Sequence, residues 1–131
     1  MGERLERLND FVAALRAELS EEQRIAALKG AAFFLLISAP RKSSHSLAGG
    51  EVNSGLFLAL LGGVDVPAEL WRGKGWYRAD RAQAWAEKNL LPRLEGLGGY
   101  PQTKSAMEDL LYYYCLEGYL VEFTRWLYHN A

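Results

Sequence analysis

The residues between 71 and 81 are those whose types and spacing point most directly to chemistry. Trp71, Arg72, Gly73, Lys74, Gly75, Trp76, Tyr77, Arg78, Ala79, Asp80 and Arg81 set four cations against one acid, with three aromatic side chains and two glycines among them. Cations neutralise phosphates and aromatic faces stack on unpaired bases, so this mixture suits single-stranded RNA or DNA. If the segment runs into a helix, steps of about 100° per residue bring Arg78, Arg81 and Lys88 to one side with Trp85 at its edge. Asp80 and Glu87 then point away, and Ala79, Ala82, Ala86 and Leu90 form a separate face suited to a core. Arg72, Lys74, Trp76, Arg78, Arg81 and Lys88 are therefore the candidate nucleic-acid contacts. The plainer reading is a solvated helix face whose tryptophans anchor the interior.

A second cluster lies at 41–50. Arg41, Lys42, Ser44 and His45 combine cations, a hydroxyl and an imidazole ahead of Gly49-Gly50, and all of these groups can donate to an anion. Ser44 or Ser46 beside His45 also has the ingredients of a nucleophile and its base, but no acid is identifiable to orient the imidazole. An ordinary surface loop has the same composition. One cysteine and two histidines fall short of a tetrahedral zinc set, and no phosphate-binding or dinucleotide fingerprint occurs, so no metal or cofactor is expected. Glu117 and Glu122 are five residues apart, on different sides of a helix, and do not make an acid–base pair.

The C-terminal stretch is aromatic throughout. From Leu110 to His129 it carries five tyrosines, a phenylalanine and a tryptophan, and it reads as one final helix of about 25 residues. Such a helix is apolar over more of its circumference than one neighbour can cover. It is either the centre of a bundle or the bearer of a second, partner-facing surface, for which Tyr113, Tyr119, Phe123 and Trp126 are the candidates. Cys115 reads as a small buried hydrophobe, and His129 as a last-turn residue favoured by the helix dipole.

Two further pieces carry a resemblance. Asn53-Ser54-Gly55-Leu56-Phe57-Leu58-Ala59-Leu60-Leu61 and the closing Trp126-Leu127 through Ala131 resemble the small helical subunit of type III CRISPR effector complexes. The resemblance implies an all-α, non-catalytic protein that lines the path of guide and target RNA. Ser54 interrupts the family's Asn-Gly-Leu segment, and Tyr128-His129-Asn130 stands where the family is basic, so no RNA-contacting residue carries over.

The elements that must position these groups follow from periodicity and stop signals. Leu5, Leu8, Phe11, Val12, Leu15 and Leu19 recur at three- and four-residue steps and predict a first helix over about 3–19. Ser20-Glu21-Glu22-Gln23 has the form of a capping box opening a second helix to about Ala39. Its end, Ala31 to Ile37, is apolar all round, as expected of the most buried element. A loop to Val52 and a third helix capped at Asn53 or Ser54 follow, the helix stopped by Gly62-Gly63. A single turn entered through Asp65 and Pro67 leads to a fourth helix over about 77–91. Ser105 with Glu108 forms a second capping box. No stretch alternates long enough for a strand.

The chain as a whole bounds the answer. Its 131 residues, half of them hydrophobic and 24% charged, suffice for one core, so a single all-α domain over 1–131 of about five helices with a long C-terminal helix is expected. Fifteen basic against sixteen acidic residues exclude a globally basic coat, yet residues 41–93 carry +3 and residues 94–131 carry −3. The longest apolar runs are ten residues, half of a membrane span, and no signal peptide is visible, so a cytoplasmic protein is expected. The leading expectation is a small non-enzymatic helical subunit that works by contact with proteins of a larger complex, or with itself, and touches single-stranded RNA or DNA. The competing ones are a binder or enzyme for small phosphorylated anions using 41–50, and a self-associating bundle without ligand.

Overall fold

A computed structural model describes residues 2–42, 48–71 and 75–130; the side chains of 2–4, 48 and 75–77 lie outside that description. Among the described residues every regular element is helical. In chain order these are α1 (Gly2–Arg16), α2 (Glu21–Phe33), a π turn (Phe34–Ser38), α3 (Ala39–Lys42), α4 (Ala48–Leu61), a 3₁₀ turn (Ala68–Trp71), α5 (Gly75–Asn89), α6 (Leu91–Leu94), a second 3₁₀ turn (Glu95–Leu97), α7 (Lys104–Tyr113) and α8 (Glu117–Asn130). The all-α expectation holds. The helices outnumber the expected five because the last is split and because α3 and α6 are separate short segments.

The capping box at Ser20 forms as the sequence requires. Gln23 N–H donates to Ser20 Oγ at 3.1 Å, and Ser20 N–H donates to Gln23 Oε1 at 2.9 Å. The Gln23 amide also donates from Nε2 to the Tyr114 carbonyl at 3.0 Å, joining the start of α2 to the end of α7. The helix does not stop at Ala39. It widens into the π turn, where Ala39 N–H reaches Phe34 O five residues back, and continues to Lys42. Pro40 is the cause: it brings no N–H, and its ring would meet the carbonyl four residues earlier in a regular α-helix.

The centre of the molecule is α4, not the end of the second helix. Leu56, Phe57, Leu58, Ala59 and Leu61 are fully enclosed, whereas Phe34, Leu36 and Ile37 are only half-buried. The reason is coverage: α1, α2, the π turn, α3, α5 and α8 all pack on α4. α4 also begins at Ala48, so Asn53 and Ser54 are interior residues rather than caps. Its approach to α2 is antiparallel and close. A Cβ on Gly62 would lie 2.4 Å from Leu28 Cδ2, and one on Gly55 would lie 2.6 Å from Leu35 Cγ.

α4 ends in a Schellman motif. Val64 N–H donates to Ala59 O and Gly63 N–H to Leu60 O, each at 3.0 Å, with Gly63 at φ 95°. Arg16 closes the same end, its Nη2 donating to the Leu60 carbonyl.

The expected 25-residue final helix is two helices. Leu116 N–H donates to Leu111 O at 2.7 Å and Cys115 N–H to Tyr112 O at 3.0 Å, which is the same motif with Cys115 at φ 59°. Leu111 and Leu116, the apolar pair this motif brings together, are both buried. Cys115 is exposed, contrary to the expectation of a buried thiol, because the reversal turns it outward. The cap of α7 is Thr103, whose Oγ1 accepts from Ala106 N–H at 3.1 Å, two residues before the expected Ser105.

Candidate functional site

Three surfaces carry the residues singled out by the sequence. On α5 the core face is as derived: Ala79, Ala82, Ala86 and Leu90 are buried. Arg81 and Lys88 are exposed, and among the described residues neither has an ion-pair partner. Trp85 lies between them in register, half-buried against the core. Arg78 does not join this stripe. Its guanidinium is half-buried, and Nη1 donates to Asn53 Oδ1 at 2.8 Å, fastening α5 to α4. At position 78 the side chain flanks the alanine face closely enough for α4 to capture it. Arg72 and Lys74 lie outside the described residues, as does the side chain of Trp76.

The second surface is formed by α3 and the π turn, which pack against α5. Two basic segments that are 37 residues apart in sequence, Arg41 and Arg78, thus belong to neighbouring elements. Arg41 is exposed and has no carboxylate partner among the described residues. Lys42 pairs with Glu51 of α4 at 2.6 Å. Ser44 and His45, the residues of the serine–histidine reading, lie outside the described residues. Among the described residues no three His, Cys, Asp or Glu side chains gather as a metal site would require.

The third surface is the C-terminal helix pair. Phe123 is not available to a partner: at 2% exposure it stacks on Phe57, ring centroids 4.2 Å apart and 8° from parallel, with Trp71 edge-on at 6.1 Å. Trp126 is half-buried and stacks on Phe11 of α1 at 5.2 Å. These two rings are the inner face of α8. A Phe-to-Ala change at such a site costs about 3–5 kcal/mol, so their first role is to hold α8 down. Tyr119 is half-buried, and its hydroxyl is pushed above the ordinary tyrosine value, first by burial and then by the carboxylates of Glu18 and Glu122 and by Cys115.

Tyr113 is open, at 78% exposure, and it has company that the sequence did not single out. Tyr112 is 75% exposed, Val121 51% and Tyr128 85%. Val121 and Tyr128 are seven residues apart on α8, on the side opposite Phe123, with exposed Thr124 and Arg125 between them. The reversal at Cys115 sets the direction of α8, and with it the side on which Val121 and Tyr128 stand.

No protein-family model matches this chain, and no curated protein or solved structure shows a significant match to it. Among the described residues no helix is long and apolar enough to cross a membrane.

Proposed function

We propose that this protein is a small helical binding subunit that acts by contact within a larger assembly, through the outer faces of α7 and α8. One observation carries the reading: every large hydrophobic side chain exposed among the described residues, Tyr112, Tyr113, Val121 and Tyr128, lies on this helix pair. Tyrosines bury area while keeping a polar handle, which is why they recur where proteins meet. The resemblance of 53–61 and 126–131 to the small subunit of type III CRISPR effector complexes supplies the kind of assembly this would be. The first piece lies largely in the packed interior, whereas in the second Trp126 and Leu127 pack against the core and Tyr128 and His129 are exposed. The test is whether Tyr113→Ser with Tyr128→Ser releases the chain from the particle it sediments with.

A second reading adds single-stranded nucleic acid on the α5 side. Its support is the pair of exposed cations Arg81 and Lys88 flanking Trp85, without ion-pair partners among the described residues, with Arg41 on the adjoining α3. Binding of a fluorescent single-stranded RNA should weaken steeply as salt rises, and Arg81→Ala with Lys88→Ala should flatten that dependence by about two phosphate contacts. RNA affinity that these replacements leave untouched removes the reading.

A further inference from the structure

The cleft between the π turn and the start of α7 shares only Arg41 with the contact surfaces proposed above. Phe33, Phe34, Ile37, Ser38 and Arg41 recur along one side of the second helix, and Gln102, Lys104 and Met107 face them, with Lys42 and Glu51 at the edge. The space between is about 320 Å³, at the small end of the roughly 300–1,000 Å³ of small-molecule sites. Its floor is apolar: Phe33 and Met107 are buried, and Phe34 and Ile37 are half-buried. Its rim is cationic, with Arg41, Lys42 and Lys104 against the single carboxylate of Glu51, which Lys42 already holds at 2.6 Å. Lys104 is held only loosely by Glu108, at 3.7 Å and largely in solvent, so an arriving anion can take it.

We infer that this cleft binds a nucleotide unit, with a planar base on the Phe34 side and its phosphate between Arg41 and Lys104. An aromatic face accepts any base by stacking, and guanidinium and ammonium groups match phosphate. Two features favour a base over a hydrocarbon tail. The cleft is small, and Ser38 and Gln102 line it, where an alkyl chain would desolvate them without return while a base edge can hydrogen-bond to them. The Gln102 amide donates to Tyr100 O at 3.4 Å, and its carbonyl oxygen is available to a ligand donor. π turns occur often at functional sites, and here the π turn supplies three of the lining residues. The inference does not rest on the α5 stripe or on the α7–α8 face.

The experiment is an amide-resolved NMR titration of the full chain with AMP, adenosine and inorganic phosphate in parallel. AMP should shift the amides around Ser38, Arg41 and Lys104, and bind at least tenfold more tightly than either half alone. Arg41→Gln or Lys104→Gln, both at exposed positions, should weaken AMP at least tenfold, while Arg125→Gln on α8 should leave it unchanged. A short adenylate strand in place of AMP distinguishes the source: tighter binding by tenfold or more identifies a strand, and equal binding identifies a free nucleotide. No AMP shift, equal binding of adenosine, or shifts confined to other regions would overturn the inference.

Discussion

Replacing Cys115 by glycine will stabilise this protein, although glycine inside a helical stretch ordinarily does the reverse. Cys115 sits at φ 59°, where a side chain's Cβ crowds the following carbonyl and costs about 1–2 kcal/mol. Glycine removes that cost and gives back about 0.5–1 kcal/mol through the greater freedom of the unfolded chain. Because the thiol is exposed, little packing is lost. The net gain is about 0.5–1 kcal/mol, or about 2–5 °C in Tm for a chain this size. Urea denaturation followed by circular dichroism, at constant slope, measures it. Cys115→Ala serves as the control. It removes the sulfur but keeps the Cβ, and should stay within about 0.5 kcal/mol of the parent. If 104–130 were one continuous helix, Cys115→Gly would instead lose about 1 kcal/mol, and the Schellman reversal would be refuted by the sign alone.

Three other outcomes follow from the packing and the titration behaviour. Gly55→Ala gains helix propensity but drives its Cβ to 2.6 Å from Leu35 Cγ and 3.0 Å from Phe34 Cβ, so a net loss of about 1 kcal/mol is expected. Gly118→Ala meets nothing within 4 Å and should gain about 0.5 kcal/mol in the same denaturation assay. For Tyr119, the folded state holds the phenolic proton more tightly than the unfolded chain, whose tyrosines ionise near pH 10.0. Above that pH the unfolded chain releases this proton first and stability declines; Tyr119→Phe should decline less, as read from urea midpoints between about pH 9 and 11.

The comparison of the two Schellman motifs shows what could be read in advance. At Gly62-Gly63 the stop was visible, because glycine marks the left-handed position. At Cys115 the same geometry was invisible, because a residue with a Cβ occupies it and the apolar pattern runs on through the break. The α5 core face followed from periodicity, and the Ser20 box from three residues of local chemistry. What escaped depends on neighbours. Arg78 reads as part of the basic stripe because the position of Asn53 on α4 cannot be known from spacing. Phe123 was assigned to a partner surface because an aromatic residue in an amphipathic helix does not reveal which side α1 and α4 will cover. The start of α4 at Ala48 was missed because Gly49-Gly50 reads as loop, whereas Glu51 there is tied to Lys42 of α3. Tyr128 is not legible in the sequence for the same reason as Cys115: its exposure depends on the reversal between α7 and α8.

The proposed role of the outer side of this helix pair is to hold the chain in an assembly. It is tested most directly by sedimentation of a gentle lysate from cells that make the protein, comparing the parent with Tyr113→Ser, Tyr128→Ser. Both replacements fall on exposed side chains and should leave the fold intact, which circular dichroism checks. The parent should travel with a particle far larger than its own 14.7 kDa, and the double variant should return to the position of the free chain. A parent that already sediments as the free chain, or a folded double variant that stays with the particle, would contradict it.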